Sequence, residues 1–265
     1  MLRTCLDSDI FKEQAEERKL REECAWQHGC KDSEEIMKVV SLHHCIAVMS
    51  RKAKEYRAKF SPSHWVLDVG CGTGYYWRNS CGAKLIMMDF AFGNLKATQT
   101  LLKEQGSIFF VQADAANPPF KSNSLSGIWS VQVTQHFPCS VMASFLKNAK
   151  RVLRMSFLME IYNLNPALLV KTLYILLGKR MRLKGKIGNM TLNRLNAVEL
   201  LEIWRGVSVN AKFKIGYSEL FFHPDLHFKP QGRYIEFLEI FFNRIPGLSH
   251  LFSRQIQIII SDGSF

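Results

Sequence analysis

The chain has 265 residues, 47% hydrophobic and 22% charged, which excludes a long disordered tract and leaves room for one α/β domain with elaborations or a domain plus a small cap. Its formal charge of +12 favours anionic partners (nucleic acid, an acidic membrane leaflet, a negatively charged small substrate) or else marks a plain basic surface. No run reaches the roughly 20 apolar residues of a membrane span; the nearest, Ala167 to Leu177, is interrupted by Lys171.

In chain order, the charge-dense segment from Phe11 to Glu23 favours a helix with ion pairs at helical spacing. It is too acidic and too charged for a signal or transit peptide, so a cytoplasmic protein is expected. Cys24, His28 and Cys30 come nearest to a metal pattern but lack a second half; no metal site is expected, and the seven cysteines read as free, mostly buried thiols. A second helix is predicted from Ser33 to Tyr56, and Ser61-Pro62-Ser63 then punctuates the chain. Residues 1–62 form an expected N-terminal helical cover and residues 63–265 the core.

Apolar runs suited to buried strands follow at Trp65–Val69, Leu85–Met88, Ile108–Val111, Gly127–Val133 and Phe157–Tyr162. Between them lie helical segments such as Asn94–Gln105, and Val141, Phe145, Leu146, Ala149, Val152 and Leu153 recur as one face of a helix. Strands alternating with helices imply βαβ crossovers and a doubly wound, Rossmann-like, mostly parallel sheet. Beyond Tyr162 the alternation breaks. A helical insertion is expected over residues 164–206, opening with an apolar segment that leads into the basic run KRMRLKGK. A strand near Val207–Tyr217, a helix at Tyr234–Phe242 and a last strand at Gln255–Ile260 follow. They suit a seven-stranded sheet with an antiparallel C-terminal edge.

The chemistry centres on Asp68-Val69-Gly70-Cys71-Gly72-Thr73-Gly74. Glycines after a strand permit positive φ and close approach of a ligand to the backbone, and a helix starting near Thr73 is expected to present unpaired N–H groups. In open α/β sheets such a turn lies at the carboxyl edge of the strands, where ligands bind. Dinucleotide enzymes space these glycines G-x-G-x-x-G for a diphosphate. Here the spacing is G-x-G-x-G after an acid, which suits a cationic amino group instead. About 20 residues on, Asp89 ends the next strand, where a carboxylate can accept from ribose hydroxyls. Asp114 follows the third strand in the same way and can pair with an adenine amino group. Any one such aspartate is commonly a turn or cap residue; three in register point to a nucleoside-bearing ligand.

With VLDVGCGTGYY (66–76), the acid Asp89, ADAANPPFKSNSLSGIWSVQVTQHF (113–137) and NAKRVLR (148–154), the chain resembles the class I S-adenosylmethionine-dependent methyltransferases, in particular the small-molecule type related to ubiquinone-biosynthesis methyltransferases. The resemblance spans roughly Ser63 to Asn163. It implies that S-adenosylmethionine is the cofactor. Asp68, Gly70, Gly72 and Gly74 would face its methionine half, Asp89 would hold the ribose, and Asp114 and Ala115 would bracket the adenine, with Phe90 packing against it. Ser130 and Gln132 would line the pocket near the sulfonium, and His136 would be the base if the acceptor is a hydroxyl. The family's Pro-Gly-Gly-type turn before the fifth strand is missing: Arg154 runs straight into Met155-Ser156-Phe157, leaving the form of that connection open.

The expected acceptor is a small apolar or aromatic molecule. The insertion is either an amphipathic lid that covers such a molecule or touches an anionic membrane, or a core-facing helix with a solvated basic end. RNA methylation is the alternative, disfavoured because Asn117-Pro118-Pro119-Phe120 falls before the fourth strand rather than at its end. A non-catalytic binding scaffold is disfavoured by the intact glycines and acids. His223 and His227 suit a loop over the substrate entrance better than a metal pair. The sequence is silent on oligomeric state.

Overall fold

The computed structural model describes residues 43–178, 184–187, 190–193, 195–205, 211–218, 237–238, 240–242, 244–245 and 247–262. The segment 11–23, the Cys24/His28/Cys30 set, His223 and His227 lie outside these residues, as do parts of the expected helices at 33–56 and 234–242.

Helix α1 (His43–Ala58) precedes β1 (Trp65–Val69), β2 (Lys84–Asp89), α2 (Phe92–Leu102), β3 (Ile108–Gln112), β4 (Leu125–Val131), α3 (Cys139–Val152) and β5 (Leu153–Leu164). Then come α4 (Leu168–Leu176), the hairpin β6 (Lys184–Ile187) and β7 (Met190–Asn193), α5 (Ala197–Arg205), β8 (Lys212–Ser218), α6 (Leu248–Phe252) and β9 (Gln255–Ser261). Seven strands form one sheet in the order β3-β2-β1-β4-β5-β9-β8. The strands β1 to β5 pair in parallel. The antiparallel strand expected at the C-terminal end is β9, which sits between β5 and β8. The order reverses between β1 and β4, the place where an open α/β sheet offers a crevice at its carboxyl edge.

Alternation along the strands sorts the core into two layers. Leu67, Val69, Ile86, Met88, Ile128, Met159 and Ile161 face one side, where they meet the α3 stripe of Met142, Phe145, Leu146, Ala149 and Val152, together with Leu200 of α5. Val66, Leu85, Met87, Trp129 and Leu158 face the other side, against Met49, Ala53 and Tyr56 of α1, Trp77 and Leu102. Helix α1 is thus part of the main core. Its Tyr56 hydroxyl lies 2.9 Å from Ile128 O and 2.6 Å from Leu158 O, and Lys59 pairs with the buried Glu160 carboxylate of β5 at 2.8 Å.

Arg57 fixes the same helix to the β1–β2 connection. Its guanidinium is buried and donates to Ala83 O at 2.8 Å, Ser80 O at 3.0 Å and Ser80 Oγ at 3.0 Å; burial lowers its pKa. Arg57→Met leaves these acceptors without their donor and is expected to lower stability by about 2–4 kcal/mol, read as a fall in the urea midpoint at unchanged slope.

Two expectations are corrected, and the connection left open before β5 is defined. The glycine turn is followed by one 3-10 turn, Tyr75–Trp77, and not by an α-helix; Trp77 drives its indole into the core instead of continuing a helical stripe. The connection before β5 is absent, because α3 ends at Val152 and β5 starts at Leu153, with a register irregularity opposite Leu125–Gly127 taking up the change of direction. The insertion after β5 is mixed, two helices flanking the β6–β7 hairpin. Helix α5 is started by a reciprocal cap: Asn196 Oδ1 accepts from Val198 N and Glu199 N, and Glu199 Oε2 accepts from Asn196 N. Of the thiols described, Cys71 is half-buried, whereas Cys81 is exposed at the turn after Ser80.

Candidate active site

Parallel pairing sets the ends of β1, β2 and β3 side by side, with Val69 opposite Met88 and Asp89 opposite Gln112. The glycine turn is stitched to this edge. Gly70 N and Cys71 N donate to Met88 O at 2.8 and 3.0 Å, and Gly74 N donates to Cys71 O at 2.9 Å. Gly70, Gly72 and Gly74 all have positive φ, at 67°, 54° and 66°, a region that costs other residues energy.

The glycines differ in what surrounds them. A Cβ at Gly70 would lie 2.4 Å from Val133 Cγ2, and one at Gly74 would lie 2.4 Å from Thr98 Cγ2. These two glycines let the turn close onto β4 and α2. A Cβ at Gly72 would meet nothing within 4 Å. Its backbone is nonetheless held at both ends: Gly72 N donates to Asp89 Oδ2 at 2.8 Å and Gly72 O accepts from Thr98 Oγ1 at 2.7 Å. A fixed peptide with open space over its α-carbon is a cradle for a ligand.

Asp89 carries more structure than the sequence suggested. Oδ1 accepts from Ala91 N at 2.9 Å and Asn94 Nδ2 at 3.2 Å, starting α2, while Oδ2 holds Gly72. An ionised carboxylate has about four acceptor places, and most of those of Asp89 are taken by protein donors, so a ligand hydroxyl would have to share them. It is 8% exposed, and burial raises its pKa against the pull of those donors.

Asp68 lies beneath the turn, 4% exposed, with Oδ2 accepting from the Trp77 indole at 2.6 Å. Burial pushes its carboxyl up to about 7; the Trp77 bond pulls down, and the nearby Asp89 charge pushes up. Trp77 was not singled out as an Asp68 partner in the sequence, because a tryptophan after a glycine turn reads equally as helix packing.

Asp114 Oδ1 accepts from Ala116 N at 2.9 Å, shaping the loop that carries Ala115. That loop is pinned from α3: Asn148 Nδ2 donates to Ala116 O at 2.7 Å, and Arg151 donates to Phe120 O at 2.6 Å and Pro118 O at 3.2 Å. The i, i+3 pair Asn148/Arg151 is the signal for this bracing, lying in the quoted NAKRVLR block. Phe90 is half-buried, and its carbonyl accepts from Gln112 Nε2.

At the end of β4, Ser130 departs from expectation. It is 0% exposed and its hydroxyl donates to Val69 O at 3.1 Å, so it braces β4 against β1 rather than lining an open pocket. Gln132 is half-buried with φ at +58° and its N–H donating to Tyr162 O at 2.7 Å. A positive φ in a glutamine is a strained state of the kind that gathers at functional turns. His136 ends the 3-10 turn Thr134–His136, which is clamped to β5: Thr134 Oγ1 donates to Asn163 Oδ1 at 2.8 Å and Gln135 Oε1 accepts from Leu164 N at 2.8 Å. The ring nitrogen Nε2 lies 3.3 Å from Gln135 Nε2, and β7 of the insertion runs against the same turn. Among the described residues no group of three His, Cys, Asp or Glu side chains is placed to hold a metal ion.

A reversed-order parallel sheet, a clamped glycine turn and acids at successive strand ends define a Rossmann-like domain of the class I methyltransferase architecture. Residues 66–156 match the family model for a methyltransferase domain, so that segment of the chain is similar in sequence to methyltransferases. No curated protein sequence matches it. Among solved structures, the chain is similar in fold to a SAM-dependent methyltransferase from Thermotoga maritima (15% identity, TM-score 0.58, 89% of this chain and 99% of that one). It is similar also to geranyl diphosphate C-methyltransferase from Streptomyces coelicolor A3(2), solved with Mg2+, geranyl diphosphate and S-adenosyl-L-homocysteine (14%, 0.56, 85% and 84%). A SAM-dependent methyltransferase from Archaeoglobus fulgidus gives 16% and 0.53, covering 82% and 94%.

Proposed function

We propose that the protein transfers the methyl group of S-adenosylmethionine to a small apolar or aromatic acceptor bound beside the insertion that follows β5. The observation that carries this reading is the open cradle over Gly72, fixed by Asp89 and Thr98. The residues present fit the cofactor: a peptide that a ligand can approach, a carboxylate at the end of β2, and a loop with Asp114 and Ala115 that follows β3 on the same edge. When bound, the cofactor supplies an activated methyl on a cationic sulfur.

What remains for the protein is binding, alignment and exclusion of water. Asp89 takes a ribose hydroxyl, Asp114 and Ala115 bracket the base with Phe90 beside it, Asp68 gives negative charge under the methionine end, and Gln132 borders the reacting centre. His136 stands at the carboxyl edge of β4, on a turn clamped to β5 and touched by the insertion, and is the candidate base for a hydroxyl acceptor. Helix α1 covers one side of the sheet, and the insertion after β5 borders the acceptor.

The test is incubation with methyl-labelled S-adenosylmethionine and two acceptor pools, an organic-soluble extract and bulk tRNA. Label is expected in the organic pool; label in RNA overturns the acceptor assignment, and label in neither overturns turnover. With a hydroxyl acceptor identified, His136→Ala is expected to lower kcat by about 100-fold or more, with S-adenosylmethionine affinity unchanged. An unchanged kcat removes His136 from the chemistry.

A further inference from the structure

Helix α4 starts just after β5, whose carboxyl end lies at the same edge as those of β1 and β4. It packs through Ala167, Val170 and Tyr174, which form a small cluster of their own, and against α6. Most of its remaining surface is aliphatic and bare: Leu168, Leu173, Ile175 (62% exposed), Leu176 (75%) and, at its C-terminal end, Leu177. Five large aliphatic side chains open to water within ten residues are an unusual exposure for one short helix and its end, of the kind that marks an interaction surface.

A second exposed stripe lies just before α6. Phe237, Ile240 and Phe241, at i, i+3 and i+4 in helical backbone, are exposed. The turn from Phe241 to Ile245 and Leu248 leads directly into α6, the helix on which α4 packs. Because β9 is antiparallel to β5, with Gln255 opposite Leu164, α6 also sits at the ligand edge.

Charge identifies the occupant. Exposed Lys171 lies on α4, and the sequence passes from Leu177 through one glycine into Lys179, Arg180, Arg182, Lys184 and Lys186, with no acid before Glu199. Aliphatic side chains followed in sequence by a run of cations match an anionic bilayer surface, where the apolar groups enter the headgroup boundary and the cations meet lipid phosphates. A second copy of this chain, itself at +12, would bring the same cations together. Spanning is excluded for α4: nine residues at 1.5 Å each cover about 14 Å, roughly half of a hydrocarbon core.

We propose that α4, with the Phe237/Ile240/Phe241 stripe, docks the protein on an anionic membrane leaflet, setting the acceptor entrance against the bilayer so that an apolar acceptor passes from lipid into the site. The acceptor half of this inference rests on the function proposed above; the docking half does not.

The test is flotation of the full chain with phosphatidylcholine vesicles and with phosphatidylcholine–phosphatidylglycerol vesicles, alongside the double variant Ile175→Asp/Leu176→Asp and a parallel titration with S-adenosylmethionine. Both substituted side chains are exposed, so folding and cofactor binding are expected to be retained. Binding to the anionic vesicles alone, released by salt and weakened at least about tenfold in the variant, is the expected result. No flotation, equal flotation on neutral vesicles, or a variant that floats like the parent overturns docking. So does concentration-dependent self-association that the variant abolishes. Cofactor binding without flotation sinks the docking surface alone, and flotation without cofactor binding sinks the functional reading alone.

Discussion

Gly72→Ala is expected to weaken S-adenosylmethionine binding by roughly 10- to 100-fold while leaving a folded protein. The added methyl meets nothing in the protein within 4 Å, so the stability cost is confined to a left-handed backbone, about 1–2 kcal/mol. The same methyl occupies the space over the cradle and holds the ligand away from the peptide. Gly74→Ala is the control of opposite character. Its methyl would lie 2.4 Å from Thr98 Cγ2, displacing the side chain that holds Gly72 O, and the expected outcome is loss of stability together with binding. Thermal midpoints and calorimetric titration of both variants separate a ligand-facing glycine from a packing one. Equal affinity in Gly72→Ala and the parent would remove the cradle from the site.

Asp68→Asn is expected to separate stability from binding through pH. In the fold this carboxyl titrates at about 7 against an ordinary 3.8, chiefly because it is buried. A raised pKa means that the contribution to stability is fully present below about pH 4 and is lost as pH rises through 7. At about 1.4 kcal/mol per pH unit, ionised Asp68 costs the unliganded protein about 4 kcal/mol at pH 8. The asparagine keeps an oxygen for the Trp77 indole but carries no charge. The variant should therefore match the parent near pH 4 and exceed it at pH 8 by about 2–4 kcal/mol in urea unfolding. S-adenosylmethionine should bind the parent more tightly as pH rises from 6 to 8, because a cationic amino group favours the ionised acid, and this dependence should flatten in the variant. A variant less stable than the parent at both pH values would contradict the burial account.

Much of this was legible in the sequence where periodicity was strong. The run Trp65–Val69 is β1 residue for residue, and the α3 stripe from Val141 to Val152 is buried as spaced, since a period of 3.6 or a short apolar run leaves few alternatives. The site's backbone was legible for the same reason: three glycines after a buried strand demand a turn. What the sequence concealed were choices made by tertiary partners. The helix expected at Thr73 is a 3-10 turn because the Trp77 indole is drawn to Asp68 and the α1 layer. Ser130 lies at a strand end that looks pocket-facing, yet its hydroxyl is spent on Val69 O. Asp89 was legible as an acid at a strand end, but its bonds to Gly72, Ala91 and Asn94 depend on how β1 and α2 meet around it. The hairpin within the insertion escaped notice because its strands, Lys184–Ile187 and Met190–Asn193, have only 4 residues each, too short for a period to stand out.

Titration of the purified chain with S-adenosylmethionine and S-adenosylhomocysteine by calorimetry, with Asp89→Ala and with NAD as the control ligand, decides which nucleoside ligand the glycine turn takes. Saturable binding of both S-adenosyl ligands, lost in Asp89→Ala and absent for NAD, is the predicted result. Binding of neither S-adenosyl ligand, or tight binding of NAD, would contradict the account of the glycine turn and with it the proposed reaction.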